Sequence, residues 1–284
     1  YIGCVIYILP TANLQITPGG TELFLRTHMN KKEITKLILE KEKRLKLQDY
    51  KQDFAKFAEE QIKIVTKDAT QGFVPFKLNK AQMYITEKLN EQMEETGKVR
   101  AIILKARQQG ISTYCSGRVF WKTYFNQHTR SVVMAHDSAT SDALFNMSKN
   151  LIQNMAGELK PEEQRSNAKE IIIKTPAYSD REAKGSYRLY TAGSPEAGRG
   201  TTPTIAHLSE IAFWQHDEKI LAGLFQGISQ ADGTDVILES NANDAQGEFY
   251  ILWRGAIAGE HEYPPILLPW YWTQEYRRTA PEGM

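Results

Sequence analysis

Residues 99–113 read VRAIILKARQQGIST. The first six are mostly apolar and β-branched, the length and character of a strand buried on both faces. A short polar loop follows, and from Ser112 the stretch STYCSGRVFWKTYF reads as a helix. A strand, a tight loop and a helix in that order aim backbone N–H groups and the positive end of the helix at an anion. Gly110 and Ser112 fit the phosphate-loop pattern G-x-x-x-x-G-K-[ST], but Lys105 stands where the first glycine belongs and Ile111 where the lysine belongs. The charge that a phosphate needs then comes from Lys105 at the loop entrance or from Arg107 within it.

Working outward from this stretch, Asn79 is a plausible N-cap for a helix of residues 80–96 that stops at Gly97. Downstream, strands are expected at 131–135, 171–175, 186–191, 204–208, 235–239 and 266–270, with helices at 112–126 and 138–155. Short β-branched runs separated by helices require crossover connections, hence an α/β domain with a mostly parallel central sheet flanked by helices. That domain is expected over residues 71–284. Residues 1–70 form a helical N-terminal segment in this reading: 30–65 are charge-rich, with Ile34, Leu37, Ile38, Leu45, Phe54, Phe57 and Ile62 at roughly helical spacing, as one long helix or two shorter ones.

Composition narrows the function class. The 284 residues are 24% charged and 41% hydrophobic, with a formal net charge of +1, so any nucleic-acid contact must come from a local basic surface. Cys4 and Cys115 are far apart and lack the C-x-x-C or His spacing of a zinc site or a disulfide framework. The apolar start YIGCVIYIL is too short to span a bilayer and lacks the basic start of a signal peptide, so no membrane association is expected.

Three further stretches carry chemistry. PTIAHLSEIAFW is an apolar strand ending in Ser209-Glu210. A carboxylate at a strand end beside a phosphate loop helps to hold Mg²⁺ and orients the attacking water in nucleoside-triphosphate hydrolysis. An acidic pair usually divides that work; here Ser209 takes the first place, leaving Glu210 as the sole expected carboxylate and Ser209 as a weak or water-mediated metal contact. DVILESNAND runs from an apolar strand into Ser240, Asn241 and Asn243, at the strand end where open α/β sheets bind ligands and where polar side chains sense a γ-phosphate. YTAGSPEAGRGTTPT presents Arg199 on a Gly-rich loop, either a solvated cation or an arginine finger acting on its own or a neighbouring subunit. Upstream, Gln82 follows an aromatic, Pro-bearing segment, where an amide can pair with an adenine edge.

The ordered set Gln82, residues 105–113, Arg199, Glu210 and residues 240–243 resembles the ATPase domain of the large terminase subunit of tailed bacteriophages, over roughly residues 70–275. The resemblance implies a RecA-like P-loop (ASCE) fold and ATP and Mg²⁺ as cofactors. KARQQGIS looks like a variant Walker A loop with its lysine at the first position. On that resemblance Lys105 serves the β/γ-phosphates and Arg107 acts near the γ-phosphate. Ala106, Gln108, Gln109, Gly110, Ile111 and Thr113 complete the loop; Ser112 ligates Mg²⁺, Glu210 activates water, and Arg199 is the finger offered in trans. The implied activity is ATP hydrolysis that drives double-stranded DNA into a procapsid. The implied partners are the portal protein, the small terminase subunit and further copies in a ring, a pentamer in the resemblance, at the procapsid portal in the host cytoplasm. The serine before Glu210 departs from the pattern. No nuclease activity is expected from this segment, which stops shortly after the last expected strand. The alternatives are another P-loop DNA translocase or helicase-like ATPase, or a nucleotide-binding packaging adaptor with a degenerate site.

Overall fold

The computed structural model describes residues 31–66, 70–155, 157–167, 169–180, 182–192, 200 and 202–273. The chain divides into two compact units, Tyr1–Lys46 and Leu47–Met284. In the first, the described residues 31–46 are helical, and Leu37, Ile38 and Leu45 on that helix are exposed.

The charge-rich segment forms two helices, α1 (Lys31–Gln52) and α2 (Phe54–Gln61). Asp53 divides them: its backbone is extended and its side chain accepts from the Lys56 N–H, so it caps the second helix. Phe54 and Phe57 of α2 are buried against Tyr114 and Phe120 respectively. A hairpin of β1 (Lys63–Val65) and β2 (Phe73–Pro75) follows. Helix α3 (Lys80–Thr96) starts at a capping box in which Asn79 and Gln82 each accept the other's N–H, and ends at Gly97 in the left-handed region.

The central sheet has eight strands: β3 (Val99–Lys105), β4 (Arg130–Ala135), β5 (Glu162–Ser166), β6 (Glu170–Lys174), β7 (Gly185–Thr191), β8 (Ile205–Ser209), β9 (Asp235–Asn241) and β10 (Pro265–Leu268). Their spatial order is β10-β3-β9-β8-β4-β7-β6-β5. All neighbours from β10 to β7 pair parallel, and β6 and β5 add antiparallel at one edge. This is the mostly parallel sheet expected from the sequence. Alternation along the strands sends Ala101, Ile103, Val133 and Ile237 into a core with α2, α3, α4 (Ile111–Phe125) and α5 (Ser138–Gln153). The opposite set, Ile102, Met134, Leu208 and Leu238, packs against α6 (Asp217–Gly227) and α7 (Glu248–Ala258).

Differences from the sequence expectations are local. β10 ends at Leu268 rather than 270, because Pro269 has no N–H to donate and a 3-10 turn follows. β5 has no expected counterpart: EEQRS is exposed throughout and is held by edge pairing to β6 rather than by burial. The helices α6 and α7 also have none. No helix among the described residues is long and apolar enough to cross a membrane.

Candidate functional site

The sheet order decides the site. β8 does not neighbour β3; β9 lies between them, and the carboxyl ends of these three strands converge. Register pairs Lys105 with Asn241 and Ser209 with Glu239. Residues 105, 207, 209, 239 and 241 therefore share one face of the sheet, the face covered by α4.

Lys105, its side chain 6% exposed, donates to Glu210 Oε1 at 2.6 Å and to Asn241 Oδ1 at 3.1 Å. Its ammonium is also 3.1 Å from Glu239 Oε2. Burial opposes this charge, but Glu239 and Glu210 together hold the Lys105 pKa above the ordinary lysine value. Glu210 takes its position from a backbone in the left-handed region (φ 56°, ψ 44°), unusual for a residue with a side chain, and its carboxylate also receives the Asn241 N–H at 3.3 Å.

Glu239 corrects the expectation of a sole carboxylate. It is fully buried, and Ser209 Oγ donates to its Oε1 at 2.7 Å. Ser112 Oγ reaches the same oxygen at 3.4 Å, and His207 Nε2 lies 3.2 Å from it. Burial alone would raise the Glu239 carboxyl; the His207 contact, the Lys105 charge and the Ser209 hydroxyl outweigh it and hold the pKa at about 2. Two clues to this residue stand in the sequence: an acid inside the apolar run DVIL-E, and a histidine and a serine at alternate positions of IAHLS.

The loop itself is built around Gly110, the left-handed N-cap of α4 (φ 72°). A Cβ there would come within 2.9 Å of Gln82 Nε2, so glycine serves both the backbone angle and the close approach. Gln82 is buried, and its amide is engaged at both ends, accepting the Asn79 N–H at 2.9 Å and donating to the Gly110 carbonyl at 2.8 Å. Gln109 accepts from the Ala106 N–H and donates to the Pro269 carbonyl, tying the loop to the end of β10. Ile111, at the usual place of a lysine, is 2% exposed and belongs to the core. Arg107 and Gln108 are exposed at the loop tip, and Thr113 is half-buried. Beside the loop a cleft of about 410 Å³ is lined by Ile64, Gln71, Phe76, Asn79, Gln82 and Thr113 among others.

The structure thus brings together Lys105, Ser112, Ser209, Glu210 and Asn241. Ser240 and Asn243 point elsewhere: Ser240 Oγ accepts the Ala212 N–H and Asn243 Nδ2 donates to the Ala212 carbonyl, pinning the turn after Glu210. Arg199 lies outside the described residues.

The donor set fits Mg²⁺ with a phosphate ligand. All the candidate ligands are hard oxygens, and Glu239 Oε2 is a buried oxygen whose counter-charge is Lys105 and which is otherwise unpartnered. Among the described residues no group of three or more His, Cys, Asp or Glu is placed to hold a metal ion. The first-turn N–H groups of α4 have no partners within the helix, as at any helix start, which is the geometry that receives an anion.

Neither a protein-family model nor a curated protein sequence matches the chain. Solved structures do. The large terminase of HK97 bacteriophage aligns with TM-score 0.57 and 16% identity over 76% of this chain and 43% of that one. The large terminase ATPase domain of Thermus phage P74-26 aligns at TM-score 0.48 and 17% identity, over 63% and 70% of the two chains. A large terminase from another thermophilic bacteriophage gives 0.49 and 11% over 67% and 45%. The HK97 likeness shows the fold alone: the α/β architecture with a mostly parallel central sheet flanked by helices is shared with that protein. This chain spans less than half the length of the HK97 protein.

Proposed function

We propose that the chain is the ATP-hydrolysing motor portion of a viral DNA-packaging terminase, which translocates double-stranded DNA into a procapsid. The observation that carries the reading is the Lys105 ammonium held between Glu210 and Asn241 at converging strand ends, below a glycine-capped helix start. A phosphate site needs a cation, free N–H groups and a carboxylate within reach of the γ-phosphate, and this corner supplies all three.

In this reading the triphosphate lies along residues 105–113, with the base on the side of Gln82 and the cleft lined by Phe76. Lys105 leaves Glu210 to meet the β/γ-phosphates, and Arg107 reaches in from the loop tip. Release of Lys105 frees the Glu210 carboxylate to orient and deprotonate the attacking water. Ser112 would hold Mg²⁺, with Ser209 and Glu210 beside it, and a bound ion would supply neutralisation of phosphate charge and Lewis acidity toward the γ-phosphate. Asn241 contacts both Lys105 and Glu210, so it registers which of them is engaged; Ser240 and Asn243 pass that state to the turn at Ala212. Arg199 is proposed as the finger acting on a neighbouring subunit of a homo-oligomeric ring, a pentamer by resemblance. The portal protein, the small terminase subunit and DNA are the proposed partners, at the procapsid portal in the host cytoplasm.

Glu210→Gln tests the assignment. Magnesium-dependent phosphate release, measured with portal and DNA present, is expected to fall by roughly 10²–10⁴-fold, the range for loss of a general base, while nucleotide binding persists. Wild-type turnover in that variant would remove Glu210, and with it this reading.

A further inference from the structure

Glu239 has no part in the mechanism above, although it is the most deeply buried acid in the site. It rises from β9, the strand inserted between β3 and β8, and register places it directly beside Ser209. Ser209 is the residue that stands where the resemblance calls for an aspartate. The two are bonded to each other at 2.7 Å, so the carboxylate missing from β8 is present one strand away.

Orientation supports the same point. Ser209 Oγ, Ser112 Oγ and His207 Nε2 all converge on Glu239 Oε1. That leaves Oε2 facing Lys105, whose ammonium lies 3.1 Å from it and 2.6 Å from Glu210 Oε1. The contact to Ser112 links Glu239 to the hydroxyl proposed to hold the ion, and a buried carboxylate that orients a ligating group tunes metal affinity. A dry carboxylate with one oxygen directed at a shared cation is an expensive arrangement for packing alone.

We infer that Glu239 supplies, from the neighbouring strand, the magnesium-positioning carboxylate that Ser209 lacks. This rests on the ATPase reading. Glu239 acts on the ion directly or through Ser112 and takes no proton from water; that task stays with Glu210.

The test compares affinity for a fluorescent, non-hydrolysable ATP analogue in Mg²⁺ and in EDTA, with folding followed by circular dichroism. The ratio of the two affinities isolates the metal's contribution from any change in Lys105. Glu239→Gln is expected to reduce that ratio by about tenfold or more, with affinity in EDTA unchanged or higher because Lys105 is released. Moving the carboxylate back across the strand pair, in the double variant Ser209→Asp with Glu239→Ser, is expected to restore most of the ratio. An undiminished ratio in Glu239→Gln, or a swap variant as weak as the single one, overturns the inference. If Glu239→Gln does not fold, the folded swap decides alone: a metal-dependent gain supports the exchange, and its absence refutes it. A wild type that binds no analogue in either buffer fails at the ATPase reading instead.

Discussion

β9 carries a buried carboxylate near each end, and the two are neutralised in different ways. At the amino end, Asp235 takes Nε and Nη2 of Arg118 on one oxygen, at 2.9 and 2.8 Å, with Lys122 at 3.9 Å. Arg118 and Asp235 are both buried, and α4 covers them. Toward the carboxyl end, Glu239 meets a lysine that it shares with Glu210 and Asn241. A guanidinium is a rigid fork that is always charged, whereas an ammonium on a flexible stem can change partners. The amino-end pair is suited to stay and, in the proposed reading, the carboxyl-end cluster exchanges partners, at the carboxyl ends of the strands where open α/β folds bind ligands.

Removing the guanidinium should break the amino end most severely. Arg118→Ala leaves buried Asp235 without its hydrogen-bonding partner and with only Lys122, at 3.9 Å, for a counter-charge, an expected loss of about 3–5 kcal/mol in denaturant unfolding, while the folded fraction keeps its nucleotide affinity. A specific loss of affinity at unchanged stability would erase the distinction between the two ends.

The second prediction concerns Lys122. Burial pushes its ammonium down to about 8, against the partial support of Asp235. The unfolded chain then holds more protons than the folded one between pH 8 and 10.5, so this residue's contribution to stability rises with pH across that window. Lys122→Met should therefore stabilise the fold by roughly 1–3 kcal/mol at pH 7, with the gain fading as pH approaches the upper limit. Thermal melts at pH 7 and above pH 10 check this. A pH-independent effect would mean that packing, not charge burial, is responsible.

The smallest stability effect belongs to the exposed loop tip. Arg107→Ala should change unfolding free energy by no more than about 0.5 kcal/mol, as for surface substitutions generally, yet weaken nucleotide binding. Unchanged affinity would leave Lys105 as the loop's cation for phosphate.

How much of this was legible beforehand depended on how local each signal is. The helix from Asn79 to Gly97 announces itself through a capping box and a left-handed glycine, both contained in a few residues. The β3-loop-α4 unit is equally local, and Lys105, Ser112 and Glu210 were within reach because each sits at an element's end. β5 was not, since EEQRS has no apolar side to mark it and depends on β6 for its backbone partners. Glu239 is marked in the sequence as an acid inside an apolar strand, but which side chains lie across from it depends on strand order, which no local signal carries.

The sequence by itself determined the alternation of strand and helix, the glycine turn at the start of α4 and the cations beside it, because periodicity, capping and φ preference act over a few residues. Only the tertiary structure decided that β9 lies between β3 and β8. That placement sets Glu239 beside Ser209 and against Lys105. Strand order depends on long-range packing of sheet faces, and from it follows which side chains from distant positions share one small, dry corner.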